Sequence, residues 1–366
     1  VKINRAYRYE LKPNMTQRIL LAKHSGCARF AYNWGLAQRI TLYQEEKKST
    51  NPMAQHKALN QLKQTEFPWM YEVSKCAPQE ALRDLDRAFK NFFTGLKAGT
   101  KVGFPKFKKK GVHDSFRLTG TIKIKGKAVQ LPRLGVIHLK EEPYVGGRIL
   151  SATVNREADR WFVSLSCEVE IKEPKPVKGE VVGIDVGLNH FAIMSDGLKI
   201  EAPKPLAKYL KRLKRLSKKH SRKQKGSNNR KKSALALARL HRKIRNIRQD
   251  FIHKLTTKLA RTKSEIVIED LNVRGMMRNE RLARHITDVG WGEFRRQLSY
   301  KTIWYGSALT TVNRFYPSSK TCSKCDYVMK EMPFSLREWD CPSCGTHHDR
   351  DENAAKNLKK QAKSIA

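Results

Sequence analysis

Acidic residues are scarce in this 366-residue chain, where 34 Asp and Glu stand against 75 Lys and Arg for a formal net charge of +41. A chain so unbalanced repels itself unless a polyanion neutralises it, and nucleic acid offers the matching array of phosphates. Long apolar runs are missing as well. No stretch of about 18 consecutive apolar residues occurs, which excludes a membrane-spanning helix. Residues 1–10 lack the apolar centre of a signal peptide, so the chain reads as soluble and cytoplasmic. Cysteine is sparse: of seven, Cys27, Cys76 and Cys167 stand singly, as small buried hydrophobes do. No internal repeat is evident, and the length suits two or three domains of roughly 100–200 residues rather than a small stapled scaffold.

Against these absences, the hydrophobic pattern is clear. Residues 2–11 alternate as a strand and stop at Lys12-Pro13. From Thr16 the period turns helical through Leu20, Cys27, Ala31, Trp34, Ala37 and Ile40, followed by helical stretches near 54–65 and 75–96. After a break at 103–111 the chain is strand-like from 115 to 170, which predicts a small β-barrel with the helical block inserted into it. A Pro/Lys-rich linker follows at 172–178. Beyond it, strands at 181–187, 191–195, 198–200, 265–269 and 309–315 interleave with helices at 208–223, 230–261, one containing Phe294, Leu298 and Trp304, and a last one from about Asp351. Interleaving of this kind implies an α/β sheet, and the chain as a whole an α/β multi-domain fold.

Three sets of residues carry chemistry. Cys322-x-x-Cys325 and Cys341-x-x-Cys344, fifteen residues apart, have paired-knuckle spacing and predict one structural Zn²⁺ with a closed sulfur shell. His347 and His348 fall outside that set. Asp185 ends an apolar strand, Glu269 ends the run Ile266-Val-Ile268, and Asp351 opens a helix. Each alone reads as a cap or salt-bridge partner. Converging, they would require divalent metal, and two Mg²⁺ ions there suit phosphodiester hydrolysis. Alternation favours Glu269 over Asp270, while the residues alone leave Asp349 and Asp351 in competition. The third set is basic: residues 201–250 hold 19 Lys and Arg against two acids. Lys106, Lys108 and Lys109, interleaved with Phe104 and Phe107, together with Arg212, Arg215 and Arg222, are expected on nucleic-acid backbone.

Gly183-Ile-Asp-Val-Gly187, Ile268-Glu-Asp-Leu271, Asp288-Val-Gly-Trp-Gly-Glu-Phe294, the cysteine module and Asp349-Arg-Asp-Glu-Asn-Ala-Ala355 together resemble the TnpB family. Gly103-Phe-Pro-Lys-Phe-Lys-Lys109 and Ala28-Arg-Phe-Ala-Tyr-Asn33 do so too. These are transposon-encoded RNA-guided nucleases related to type V CRISPR effectors. The resemblance implies a wedge β-barrel over 1–14 and 113–171, interrupted by a helical recognition domain at 15–112. It further implies a linker at 172–180 and an RNase H-like (RuvC) nuclease over 181–317 and 349–366, with a basic helical hairpin at about 205–262 and a zinc ribbon inserted at 318–348. The family's metal-binding acids fall on Asp185, Glu269 and Asp351. Its partners would be a guide RNA from the transposon and a double-stranded DNA target, with no membrane, in a prokaryotic cytoplasm at the nucleoid. Lys75 and Gln79, one helical turn apart, would face DNA beside the target, since Lys suits phosphate or guanine and Gln suits adenine. By themselves they read equally well as solvated first-turn positions around Pro78. One departure is visible: Asp326 follows Cys325 where the family usually has a left-handed glycine, a conformation Asp tolerates. The function implied is RNA-guided DNA cleavage beside a short motif. The alternatives are a nuclease-inactive RNA-guided repressor and a strand-joining transposase.

Overall fold

Alternation sets the first element. In β1 (Lys2–Lys12), Tyr9 and Leu11 are buried while Asn4, Ala6 and Arg8 face out. The computed structural model describes residues 1–333 and 335–363 and divides the chain into two units, Val1–Ile171 and the residues from Lys172 onward. The helix α1 (Met15–Glu46) opens with a reciprocal cap, in which the Asn14 side chain accepts the Gln17 amide at 2.8 Å and the Gln17 side chain accepts the Asn14 amide at 3.1 Å. Asn51 and Pro52 start α2 (Pro52–Thr65) in the same economical way, and α3 (Cys76–Lys97) packs Leu82 and Leu85 into the core. Then follow β2 (Ser115–Leu118), β3 (Lys123–Lys125), β4 (Ala128–Leu131), β5 (Gly135–Leu139), β6 (Arg148–Glu157) and β7 (Arg160–Glu170). They form one seven-stranded sheet of order β2-β6-β7-β1-β5-β4-β3, with β1 antiparallel to both β7 and β5. Sheet and helices share one apolar core, in which Leu21, Leu36 and Leu82 meet Phe116, Val129, Ile137 and Leu165.

The second unit begins with β8 (Val182–Asp185), β9 (Ala192–Met194) and β10 (Lys199–Ile200). A helical hairpin of α4 (Pro205–Ser221) and α5 (Asn228–Thr262) leads to β11 (Glu265–Glu269). After it come α6 (Val273–Met276), α7 (Glu280–Val289), α8 (Trp291–Tyr305), β12 (Ala308–Val312), the hairpin β13 (Glu338–Asp340) and β14 (His347–Asp349), and α9 (Arg350–Lys360). The main sheet has the order β10-β9-β8-β11-β12, with β8, β11 and β12 parallel. Parallel strands covered on both faces read as unbroken apolar runs, and Val182, Ile184 and Ile266–Ile268 are all buried. One face packs Ile266 and Ile268 on Leu259, Phe294 and Leu298 of α5 and α8. The other packs Val267 and Val312 on Leu358 of α9.

Two parts of this unit differ from the sequence expectation. The strand predicted to reach Phe315 ends at Val312, because the Asn313 side chain accepts the Phe315 amide at 2.9 Å and bends the chain. Residues 273–289, unassigned by periodicity, form two short helices opened by the side chains of Asn272 and Asn279. α7 does carry an apolar stripe at Leu282, Ile286 and Val289, but helices of four and ten residues are shorter than the window over which a period can be read. Among the described residues, no helix is long and apolar enough to cross a membrane.

Gly183 permits the close approach of α9 to β8. A Cβ at that position would stand 2.0 Å from the Ala355 carbonyl and 2.4 Å from the Lys359 amide, both backbone atoms of α9. Gly183→Ala must therefore push the helix off the strand. We expect a loss of about 2–3 kcal/mol, read as a fall of roughly 5–10 °C in the melting midpoint; an unchanged midpoint would show that α9 is not seated this way.

Candidate metal centres and nucleic-acid surfaces

Ile184 of β8 lies opposite Ile268 of β11 in the parallel ladder. The next residue on each strand is a carboxylate, so Asp185 and Glu269 stand side by side at the C-terminal edge of the sheet, where open α/β sheets place their ligands. Asp351 joins them from the first turn of α9, the helix seated on Gly183. The effect on Asp185 is large. Burial, then the charges of Asp351 and Glu269, push its carboxyl up to about 8, against the opposing pull of Arg350 and the Val186 amide. Glu269 is raised as well, by burial and then by Asp270. A hard divalent cation would remove the repulsion that helps raise Asp185, although among the described residues only the cysteine quartet has its ligand atoms already drawn together.

The neighbouring acids are differently employed. Asp270 is hydrogen-bonded to Arg314 and Arg295, which hold its carboxyl below the ordinary range. Asp349 is the N-cap of α9, accepting the Asp351 and Glu352 amides at 3.0 Å each, and it also accepts Lys199 Nζ at 2.7 Å. Burial pushes Asp349 up, but Lys199 and the two amides outweigh it and leave the group low. One residue of the cluster has no spacing rule to announce it: Arg337, whose Nη1 lies 3.4 Å from Asp351 Oδ2. Its carbonyl accepts the Arg350 amide at 2.8 Å, so the same short segment ties β13 to the start of α9.

Cys322, Cys325, Cys341 and Cys344 bring their four sulfurs within 4.8 Å of one another. Cys322 and Cys344 are 3.7 Å apart, and Cys325 and Cys341 3.5 Å. The edge of a tetrahedron of about 2.3 Å Zn–S bonds is close to these values. Both turns are built alike. The residue after the second cysteine is left-handed, Asp326 at φ 61° and Gly345 at φ 66°, and its amide donates to the carbonyl of the first cysteine at 3.0 and 2.8 Å. Thr346, through its hydroxyl and then its amide, draws the Cys344 thiol down while that of Cys325 stands raised, so without a metal the quartet shares its protons unevenly. His348 lies outside the quartet yet is packed against it, with its Nε2 3.1 Å from Cys322 Sγ and its buried ring against Trp339. His347 is exposed and pairs with Asp340.

Two asparagines that periodicity did not single out join this module to α9. Asn353 accepts the Ser323 amide at 2.8 Å and donates to the Thr321 carbonyl at 2.7 Å, while Asn357 donates to the Ser318 and Thr321 carbonyls at 2.8 and 2.6 Å. Both are buried. Lys360 adds an ion pair to Asp326 at 2.6 Å. The helix that carries Asp351 is thus gripped by the first cysteine turn. Asp288 has a structural role of the same kind: its carboxylate accepts the Leu206 and Ala207 amides at 2.8 and 2.9 Å and caps α4 from outside.

The basic candidates divide. Arg212, Arg215 and Arg222 are exposed on α4 and its C-cap, and the hairpin is closed by Arg230, which donates to the His220 and Lys223 carbonyls. In the first unit Lys106, Lys108 and Lys109 are all exposed, and Lys108 lays its ammonium 4.0 Å from the centre of the Tyr32 ring. Lys75 borders a cleft of about 800 Å³ with Lys63, Tyr71, Thr119 and Thr121. Gln79 borders an adjoining groove of about 450 Å³ with His56 and Arg83, the two hollows sharing Asn60 and Gln64.

Comparison with known proteins places these features in context. Residues 164–280 match a family described as "Probable transposase", residues 291–358 match "Cas12f1-like, TNB domain", and residues 3–48 match "Helix-turn-helix domain". A Streptomyces pristinaespiralis protein named "Putative RNA-guided DNA endonuclease" is 38% identical, covering 98% of this chain and 89% of its own. Its Escherichia coli K12 counterpart, "Putative RNA-guided DNA endonuclease InsQ", is 33% identical over 96% of this chain and 91% of its own. Among solved structures, a Cas12f1 from a complex with sgRNA and target DNA superposes with a TM-score of 0.58 at 14% identity, covering 98% of this chain and 99% of that one. That likeness speaks for the fold.

Proposed function

Since the chain belongs to the TnpB family, with relatives over 30% identical along nearly its whole length, we propose that it is an RNA-guided DNA endonuclease. The observation that carries this reading is the meeting of Asp185, Glu269 and Asp351 at one sheet edge. A guide RNA neutralises the +41 surface and selects the target by base pairing, and the acidic edge cuts. On this reading residues 1–14 and 113–171 form the wedge barrel around a recognition domain at 15–112. Residues 172–180 are the linker, and 181–317 with 349–366 are the RuvC-like nuclease around the ribbon at 318–348. A repressor without cleavage is disfavoured by the presence of all three acids. A strand-joining transposase is disfavoured by the endonuclease names of the long-matching relatives.

Bound at the three acids, two magnesium ions would lower the pKa of an attacking water and stabilise the leaving oxygen of a phosphodiester. The chain's own residues do the rest. Asp185 and Glu269 fix two ligand positions through the strand register, and Asp351 adds a third from the helix. Arg350 and Arg337 offset part of the acid charge, and Arg337 is exposed enough to meet an incoming phosphate. The cysteine quartet fits one structural zinc and, through Asn353 and Asn357, keeps α9 in place.

Three outcomes test this reading. Asp185→Ala, Glu269→Ala and Asp351→Ala should each remove Mg²⁺-dependent cleavage while leaving guide RNA binding within about twofold, because affinity comes from many basic contacts elsewhere. Asp349→Ala should keep cutting at a reduced rate, and equal loss in both aspartate variants would reopen the assignment. Elemental analysis should return about one zinc per chain. Cys341→Ser should lower the melting midpoint and cleavage together, and a protein that never holds zinc would overturn the ribbon. In a motif-depletion assay, Gln79→Ala should relax preference at one position by roughly 1–3 kcal/mol. Lys75→Ala should weaken all targets alike and reduce the salt slope by about one if it meets phosphate. Unchanged profiles from both would return the pair to solvated surface.

A further inference from the structure

Phe315 is 86% exposed, the barest large hydrophobic side chain among the described residues. Its neighbours are all secured. The Asn313 side chain accepts the Phe315 amide at 2.9 Å, and the Asn313 carbonyl accepts the Tyr316 amide at 3.0 Å. Arg314 is tied to Asp270, and Tyr316 packs on the Val267, Val312 and Leu358 cluster while its hydroxyl meets Gln361 Nε2 at 3.2 Å. A turn pinned on both sides of a bare ring holds that ring out in solvent, where its apolar surface gains nothing from burial.

The place of this turn is what gives the ring a use. Val312 is paired with Glu269 in the β11–β12 ladder, and Phe315 follows three residues later, at most about 10 Å of chain beyond Val312. Arg314, directly before Phe315, lines a cleft of about 300 Å³ together with Glu269, Arg274, Asn272 and Arg295. Arg295 and Arg314 spend their charge on Asp270, whereas Arg274 is exposed and makes no ion pair among the described residues. Phe315 itself does not line that cleft but follows Arg314, which does. An exposed ring and an unpaired guanidinium near one edge are the two kinds of group that hold single-stranded nucleic acid, with the ring on the base and the cation on the backbone.

We propose that Phe315 is a stacking platform for an unpaired base of the strand held at the acidic edge, with Arg274 as its phosphate contact. The assignment rests on the nuclease reading and deepens it. Both faces of a base inside a duplex are already covered, so a platform of this kind accepts only a strand that has been opened. The site is then selective for single-stranded DNA about one or two nucleotides from the bond to be cut, whatever the sequence, because every base offers a face.

The test uses the full chain with its guide RNA under single-turnover conditions. Phe315→Ala should lower cleavage about tenfold, the order that one base–aromatic stack supplies, with target binding unchanged. Phe315→Trp should retain or exceed the wild-type rate. An abasic nucleotide scanned across the positions flanking the cut should reproduce the loss at one position in the wild type and add nothing further in Phe315→Ala. Wild-type cleavage by Phe315→Ala, failure of the Trp variant, or independent multiplication of the two defects would each overturn the platform and leave the nuclease reading standing. A wild-type complex that does not cut would defeat that reading, and the platform with it.

Discussion

Like charges held together against their own repulsion set the terms for the second unit. Parallel strands β8 and β11 end in adjacent carboxylates, and a helix is brought in to add a third. Burial first, and then the neighbouring charges of Asp351 and Glu269, push the carboxyl of Asp185 upward. Such a group persists only when the surrounding structure over-determines its position. Here the support is a sheet buried on both faces, a glycine that admits α9 to backbone contact, and a cysteine module that grips α9 through buried amides. The cysteine quartet stands apart from the chemistry, yet it governs where Asp351 can be.

How much of this was legible in the sequence follows from how each feature is encoded. Asp185 and Glu269 stood out because a charge at the end of an apolar run breaks a strong pattern, and the cysteine spacing is itself a geometric statement. The choice between Asp349 and Asp351 was not legible from the residues alone. Both sit in one helix start, and only Lys199, reaching over from β10, reveals that Asp349 is already engaged as a cap and ion-pair partner. Arg337, His348 and the asparagine staples were missed for the same reason. Their roles depend on contacts across 14 to 39 positions of chain, which no local period records. Residues 273–289 were missed for another: their helices open on asparagine caps and run only four and ten residues, so the apolar stripe of α7 at Leu282, Ile286 and Val289 is too short to stand out as a period.

The same split applies to charge. The excess of 75 basic over 34 acidic residues announces a polyanionic partner, but composition does not say which cations are free. Lys108 is turned onto Tyr32, and Arg295 and Arg314 are consumed by Asp270, while Arg212, Arg215 and Arg222 remain open on α4. Nucleic-acid affinity built from many such open contacts is tolerant of single losses, whereas the acidic edge is not. On the proposed function, binding and cutting therefore fall to different residue types.

Manganese, which takes the oxygen ligands of magnesium and scatters anomalously, offers the most direct view of the central claim. Anomalous difference density from a manganese-soaked crystal is predicted to appear at the carboxylates of Asp185, Glu269 and Asp351, as two peaks if two ions bind there. Density at Asp349 or Asp270 instead, or an acidic edge that takes up no manganese, would contradict the account.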